Sequence, residues 1–101
     1  MQYNVNRQGK GVTVALNGQL DFAANETFAV LLKDIGEVDS GMVTFDLSGL
    51  THIDSVGLGL LYIAQEELDR TGSRVALSSA HGPVKRLLEL TEASESFEIR
   101  P

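Results

Sequence analysis

One short stretch of the chain combines residue types that could receive a phosphoryl group. Ser55 follows Asp54 and precedes Gly57 and Gly59, at the point where the apolar pattern changes from strand-like to helix-like. A serine at the start of a helix commonly serves only to cap it. Its hydroxyl can also accept a phosphoryl group, because the free N–H groups and the dipole at this end of a helix favour negative charge. The residues alone leave both interpretations open.

The presence of two glycines, Gly57 and Gly59, near the start of a predicted helix requires an explanation. Inside a helix each is about 1 kcal/mol less favourable than alanine. Gly57 and Gly59 therefore indicate that something requires a small residue there. Close approach of a partner's backbone is one explanation, and tight packing of the helix on a sheet is the other.

Catalytic interpretations of the same region are disfavoured. His52, Asp54 and Ser55 are the three residue types of a hydrolase triad, but neighbours in one short segment can hardly adopt the geometry of nucleophile, base and orienting group. The Gly-x-Ser-x-Gly elbow is also absent from the sequence. Asp21, Asp46 and Asp54 resemble a magnesium cluster only loosely, since carboxylates at strand ends are common. We expect neither enzymatic activity nor a bound metal.

Composition limits the class of protein further. The 101 residues predict a single domain over 1–101, and the net charge of −6 disfavours nucleic acid as a partner. No apolar run approaches the roughly 20 residues needed to span a bilayer. The chain has no cysteine and no secretion signal at its start. These features together predict a cytoplasmic location.

Apolar periodicity predicts strands alternating with helices. Period-two patterns indicate strands in the stretches 3–7, 12–16 and 44–47, the first two forming a hairpin. The short apolar run at 75–77 is typical of a strand that is covered on both faces. Helical spacing predicts three helices, whose stripes are Phe28, Leu31, Leu32 and Ile35; Leu60, Leu61, Ala64 and Leu68; and Val84, Leu87, Leu88 and Leu90. Such alternation is typical of an α/β fold with a mixed sheet covered by helices.

Turn-forming residues set the expected boundaries. Asn17-Gly18 and Ser48-Gly49 are expected to end the second and third strands, and a loop then leads through Ile53 to Asp54. Gly9-Lys10-Gly11 is expected to form the hairpin turn, and Gly36 with Ser40-Gly41 to end the first helix. Residues 91–96 are predicted to be loop, and Phe97 with Ile99 a last strand or a docked tail.

Three segments carry a resemblance to a known family. Residues 46–50, Asp-Leu-Ser-Gly-Leu, followed by 53–58, Ile-Asp-Ser-Val-Gly-Leu, resemble the signature of STAS domains, specifically the bacterial anti-sigma-factor antagonists. Residues 18–21, Gly-Gln-Leu-Asp, are similar to the family's element after the second strand. Val56 departs from the pattern, since many members carry a second small residue there. The resemblance covers essentially the whole chain and implies a four- to five-stranded mixed sheet with about three helices.

The resemblance also implies a function and a set of site residues. Ser55 would be the phosphoacceptor, and the partner would contact Asp21, Asp54, Ser55, Val56, Gly57 and Leu58. Asp21 would orient the acceptor hydroxyl, although capping of the following helix is an equal alternative. The implied partners are an anti-sigma factor of the GHKL-type serine kinase class and a PP2C-type phosphatase. ATP and magnesium would belong to the kinase, so that this chain needs no cofactor.

Two other outputs remain open within the same family. One is a partner switch that controls secretion, motility or second-messenger signalling instead of a sigma factor. The other is a structural STAS subunit of lipid or anion transport machinery, in which Ser55 would only pack.

Overall fold

The computed structural model describes residues 1–9, 11–35 and 41–101. These residues form five strands and three α-helices in alternation. The elements are β1 (Gln2–Gln8), β2 (Gly11–Leu20), α1 (Asn25–Ile35), β3 (Met42–Ile53), α2 (Ser55–Asp69), β4 (Arg74–Ser78), α3 (Gly82–Leu90) and β5 (Glu98–Arg100). Short 3-10 turns precede α1, at Phe22–Ala24, and follow α3, at Ala93–Glu95. The α/β fold predicted from the sequence is confirmed.

The strands lie side by side in chain order, β1-β2-β3-β4-β5. β1 pairs with β2 antiparallel, as predicted for the hairpin, and all the other pairs are parallel. Each parallel connection advances in the same direction. Because such crossovers are right-handed, they place α1, α2 and α3 on one face of the sheet. Buried side chains of all three helices accordingly belong to a single hydrophobic cluster.

The two faces of the sheet differ in polarity. On the helix face, Val14, Phe45 and Leu77 lie in register across β2, β3 and β4 and are buried. Phe28 of α1 stacks on Phe45 with ring centroids 6.2 Å apart. On the opposite face, the register row through Asp46 also contains Ala15 and Ser78, and all three are partly exposed. Burial is therefore concentrated on the helix side.

Two strands extend beyond the ends expected from sequence. Asn17-Gly18 and Ser48-Gly49 do not end β2 and β3, which continue to Leu20 and Ile53. The two extensions pair with each other, and the ladder has register irregularities around Asn17 and Gly18. Gly18 adopts φ +96°, a conformation that glycine tolerates. The polar and glycine signals thus mark an irregular ladder rather than a loop, because a neighbouring strand satisfies the backbone.

Three other boundary predictions have different outcomes. The expected turn at 9–11 and the expected end of α1 at 36–41 include residues 10 and 36–40, which lie outside the described residues. The last strand is present as β5, with Phe97 buried just before it. The stretch 91–96, predicted to be loop, contains the second 3-10 turn.

Candidate functional site

Helix α2 begins at Ser55, and its cap is the preceding aspartate. Asp54 has extended backbone angles, φ −123° and ψ −174°, and its side-chain Oδ1 accepts a hydrogen bond of 2.8 Å from the N–H of Gly57. The backbone carbonyl of Asp54 accepts from the N–H of Leu58 at 2.9 Å. The predicted helix boundary is therefore correct, and the side chain that caps the helix is that of Asp54 and not that of Ser55.

The Ser55 side chain is left free by this arrangement. It is exposed, and its hydroxyl makes no hydrogen bond within the part of the chain that the structure describes. The N–H groups of Ser55 and Val56 belong to the first turn, where no intrahelical acceptor exists. An added negative charge would meet these groups and the positive end of the helix dipole. The site can thus present either a neutral hydroxyl or a phosphate on an intact helix.

The end of β2 lies against the start of α2. The carbonyl oxygen of Leu20 accepts a hydrogen bond from the N–H of Asp54 at 3.4 Å. Asp21 follows directly, and its Oδ1 accepts from the N–H of Ala23 at 3.0 Å. Asp21 therefore caps the 3-10 turn Phe22–Ala24. The capping alternative is observed, whereas an orienting role toward the Ser55 hydroxyl stays a prediction.

The two glycines of α2 prove to be small for different reasons. Gly57 is buried, and a methyl group built on it would overlap the backbone carbonyl of Leu20. Apart from the chain neighbours of Gly59 and the backbone of the helix itself, no atom of the described residues lies within 4 Å of the corresponding position on Gly59. Leu58, like Gly57, faces inward and is only 7% exposed. Two of the residues expected to contact a partner, Gly57 and Leu58, are therefore buried and support the site from the core. The other four are exposed or partly exposed at the surface: Asp21, Asp54, Ser55 and Val56.

Exposed apolar residues lie on the same helix as Ser55 and on the 3-10 turn that contacts this helix. Val56 is 44% exposed and Ile63 is 50% exposed, and with Gly59 they occupy one stripe of α2 at spacings of three and four residues. Phe22, 75% exposed, belongs to the 3-10 turn that lies against α2. We call Phe22, Val56, Gly59 and Ile63 the apolar patch. Sequence reasoning missed Phe22 and Ile63, although Ile63 could have been noticed because it lies off the core stripe of its helix.

The site residues line none of the grooves recorded among the described residues. A groove of about 290 Å³ lies between α3 and β5, lined by Leu88 and Ile99 among others, and it includes none of the residues above. Among the described residues, no group of three or more His, Asp or Glu side chains is placed to hold a metal ion. Asp46 instead accepts a hydrogen bond from the N–H of Ser48 at 2.9 Å. No described helix has the length and apolar character to cross a membrane.

Comparison with protein families agrees with this architecture. The family model for the STAS domain matches residues 2–101, which is almost the entire chain. The chain therefore belongs to the STAS family.

Solved structures of the same fold come from two functional settings. A protein from Thermotoga maritima described as an anti-sigma factor antagonist superposes with a TM-score of 0.79 at 21% identity, covering 98% of this chain and 86% of that one. The Bacillus cell fate determinant SpoIIAA in its phosphorylated form gives 0.70 at 17%, covering 97% and 90%. A sulfate transporter family protein from Wolinella succinogenes gives 0.75 at 18%, covering 90% and 76%. At these identities the similarity establishes the fold.

Proposed function

We propose that this chain is an anti-sigma-factor antagonist whose binding is controlled by phosphorylation of Ser55. Unmodified protein binds an anti-sigma factor of the GHKL-type serine kinase class and releases the sigma factor. The kinase phosphorylates Ser55 with its own ATP and magnesium, and a PP2C-type phosphatase restores the hydroxyl. The chain itself is non-catalytic in this scheme and acts in the cytoplasm. The observation that carries the proposal is the exposed Ser55 hydroxyl, which has no hydrogen bond within the described residues because Asp54 performs the capping.

The apolar patch gives the partner its contact area. Phe22, Val56 and Ile63 are large and exposed; Val56 and Ile63 lie on one stripe of α2, and Phe22 belongs to the 3-10 turn that contacts this helix. Exposed apolar residues grouped in this way are a feature of protein–protein interfaces. Gly59 leaves a gap between the side chains of Val56 and Ile63, and none of the described residues fills it. A partner's backbone can therefore approach α2 closely there.

Phosphorylation would switch such an interface by charge. A phosphoserine carries about −1.5 to −2 charge, and burying it against apolar surface carries a desolvation penalty. The carboxylates of Asp54 and Asp21 flank the same end of α2 and would repel it further. A hundredfold loss of affinity requires only about 2.7 kcal/mol. The first-turn N–H groups meanwhile stabilise the phosphate on the free protein, so that the partner is lost while the fold is kept.

Phosphorylation and binding can be tested separately. The purified protein is incubated with a GHKL-type serine kinase from its own cell and with magnesium ATP, and intact mass is measured. One phosphoryl group is expected on the wild type and none on Ser55→Ala. Ser94, also an exposed serine that begins no helix, gives the matched control Ser94→Ala, which should be modified as fully as the wild type. A phosphoryl group that persists on Ser55→Ala would place the acceptor elsewhere.

Binding is then titrated for the same proteins. Ser55→Ala should bind the kinase as well as the wild type, and Ser55→Asp should bind at least about tenfold more weakly, which corresponds to ~1.4 kcal/mol. Equal affinities for Ser55→Asp and the wild type would overturn the electrostatic switch.

The transport alternative has its own support in the fold shared with the sulfate transporter family protein. In that case the chain would be a structural subunit, and Ser55 would pack without changing charge. Capture of partners from the source cell with Ser55→Ala as bait separates the two. A kinase among the captured proteins supports the phosphorylation switch, whether it controls a sigma factor or another process. A transporter component among them supports the structural-subunit alternative.

A further inference from the structure

The two edges of the sheet are protected very differently. β1 is one edge, and its outer side pairs with nothing in the described residues. It is seven residues long, contains no proline, and pairs with β2 without any register shift. Proteins normally shield an edge strand with charge, proline, a bulge or short length, because unpaired backbone groups recruit another strand. β1 carries only one charged residue, Arg7.

The opposite edge, β5, is protected by short length, by charge and by a proline. β5 is three residues long and consists of Glu98, Ile99 and Arg100, so that charged residues flank a single apolar one. Pro101 follows at once and offers no N–H group. Since β5 is protected and the outward backbone groups of β1 are not, the β1 edge is the one suited to pair with a further strand.

The sequence of β1 is complementary to itself. When two copies run antiparallel about a two-fold axis at Val5, Gln2 faces Gln8 and Asn4 faces Asn6, which pairs amide side chains on the polar face of the sheet. On the helix face, Val5 faces Val5 and Tyr3 faces Arg7. This register pairs odd positions with odd and even with even, so the backbone groups that point outward on one copy meet those of the other. We propose that β1 is a homodimer interface, which joins two sheets of five strands into one of ten.

In the single chain, hydrogen bonds already hold the side chains of Tyr3 and Arg7 in place on the helix face of the sheet. The Tyr3 hydroxyl donates a hydrogen bond to the carboxylate of Asp34, and the Arg7 guanidinium donates to the backbone carbonyls of Asp34 at 2.9 Å and Ile35 at 2.6 Å. Tyr3 and Arg7 are thereby held against the end of α1. In the dimer, Arg7 of one copy lies opposite Tyr3 of the other, where an aromatic ring and the Asp34 carboxylate attract a cation. No like charges face each other across the axis.

The association can be measured directly by sedimentation equilibrium of the full chain. We expect a monomer–dimer equilibrium with a dissociation constant at or below about 1 mM, which is the affinity of a modest interface. Asn4→Lys with Asn6→Lys, both at exposed positions, places lysines opposite lysines and should raise the dissociation constant at least about tenfold. The control variant is Thr13→Lys with Gln19→Lys, which adds the same charge at exposed positions of the interior strand β2. It should leave the dissociation constant unchanged.

A charge-complementary mixture tests the register. Asn4→Glu with Asn6→Glu should self-associate as weakly as the lysine variant, and an equimolar mixture of the two should form a heterodimer. The chain has no cysteine, so Val5→Cys provides a single thiol that should form a disulfide-linked dimer on mild oxidation, whereas Thr13→Cys should not. A wild type that stays monomeric to about 1 mM would overturn the proposal, and so would a dimer that the lysines at positions 4 and 6 do not weaken. The outcome is independent of whether Ser55 is phosphorylated.

Discussion

The carbonyl oxygen of Leu20, at the end of β2, lies directly against the backbone of Gly57 in the first turn of α2. The N–H of Asp54 donates to the same oxygen at 3.4 Å. One backbone group thus joins the last residue of a strand to the helix that presents Ser55. The position of Ser55 is therefore set by backbone packing, which a side chain at position 57 would disrupt.

The first prediction compares the two glycines of α2. Gly57→Ala should destabilise the protein by about 1–3 kcal/mol, because the added methyl group overlaps the Leu20 carbonyl, whose backbone cannot move cheaply. Gly59→Ala should instead stabilise it by up to ~1 kcal/mol, since the described residues leave room for the new methyl group and alanine favours the helix. Urea unfolding measures both. Two variants of equal stability would contradict the packing explanation.

Gly59→Ala also tests the apolar patch. If a partner approaches α2 closely at Gly59, the added methyl group should weaken kinase binding while it raises stability. Asn25→Ala, at an exposed position of α1, serves as a control that leaves the patch intact. Unchanged kinase affinity for Gly59→Ala would remove this position from the contact.

The third prediction concerns the cap of α2. Asp54→Ala should lower the free energy of unfolding by about 1 kcal/mol, because the hydrogen bond of 2.8 Å to the Gly57 N–H is lost. Asp54→Asn keeps a side-chain oxygen in place and should lose less. Thermal or urea unfolding of the three proteins decides the matter. A loss for asparagine equal to that for alanine would show that the charge of Asp54 matters more than its capping geometry.

The fourth prediction separates stability from function at Ser55. Ser55→Asp should leave the protein as stable as the wild type or raise its stability by about 0.3–1 kcal/mol, since a negative charge in the first turn of a helix interacts well with the dipole. The same variant should lose kinase binding. Unfolding and titration on one preparation measure both quantities. A Ser55→Asp protein that is markedly destabilised would mean that lost binding reflects damage to the fold.

The fifth prediction is a pH dependence at Tyr3. Its hydrogen bond to the Asp34 carboxylate, together with burial and the negative charge nearby, raises the pKa of Tyr3 above the ordinary value of 10.0. A raised pKa means that the contact stabilises the fold below pH 10 and is lost as pH rises through the higher, folded-state pKa. The stability advantage of the wild type over Tyr3→Phe should therefore shrink in strongly alkaline solution.

The control for that measurement is Tyr62→Phe. The Tyr62 ring packs on Phe97 with centroids 4.9 Å apart, and no hydrogen bond to a carboxylate is recorded for its hydroxyl within the described residues. Unfolding free energies are measured across the alkaline range for all three proteins. A gap between wild type and Tyr3→Phe that stays constant with pH would contradict the role of the Asp34 contact.

The sequence by itself determined the order of the first four strands and the three helices, and the residue at which α2 begins. Apolar periodicity specifies which side of a helix or strand is buried, and that is a local property of the chain. Phe28 and Leu31 were thus predicted on the buried side of α1, and Asp54 with Ser55 at a helix start, and both are found there.

Only the tertiary structure decided what each site residue contacts. The glycines 57 and 59 are indistinguishable in the sequence, yet only Gly57 meets the carbonyl of Leu20, which lies 37 positions earlier in the chain. β2 and β3 continue beyond Gly18 and Gly49 because each supplies the other's backbone partners. Long-range backbone pairing of this kind leaves little trace in local pattern, since any residue can provide an N–H or a carbonyl.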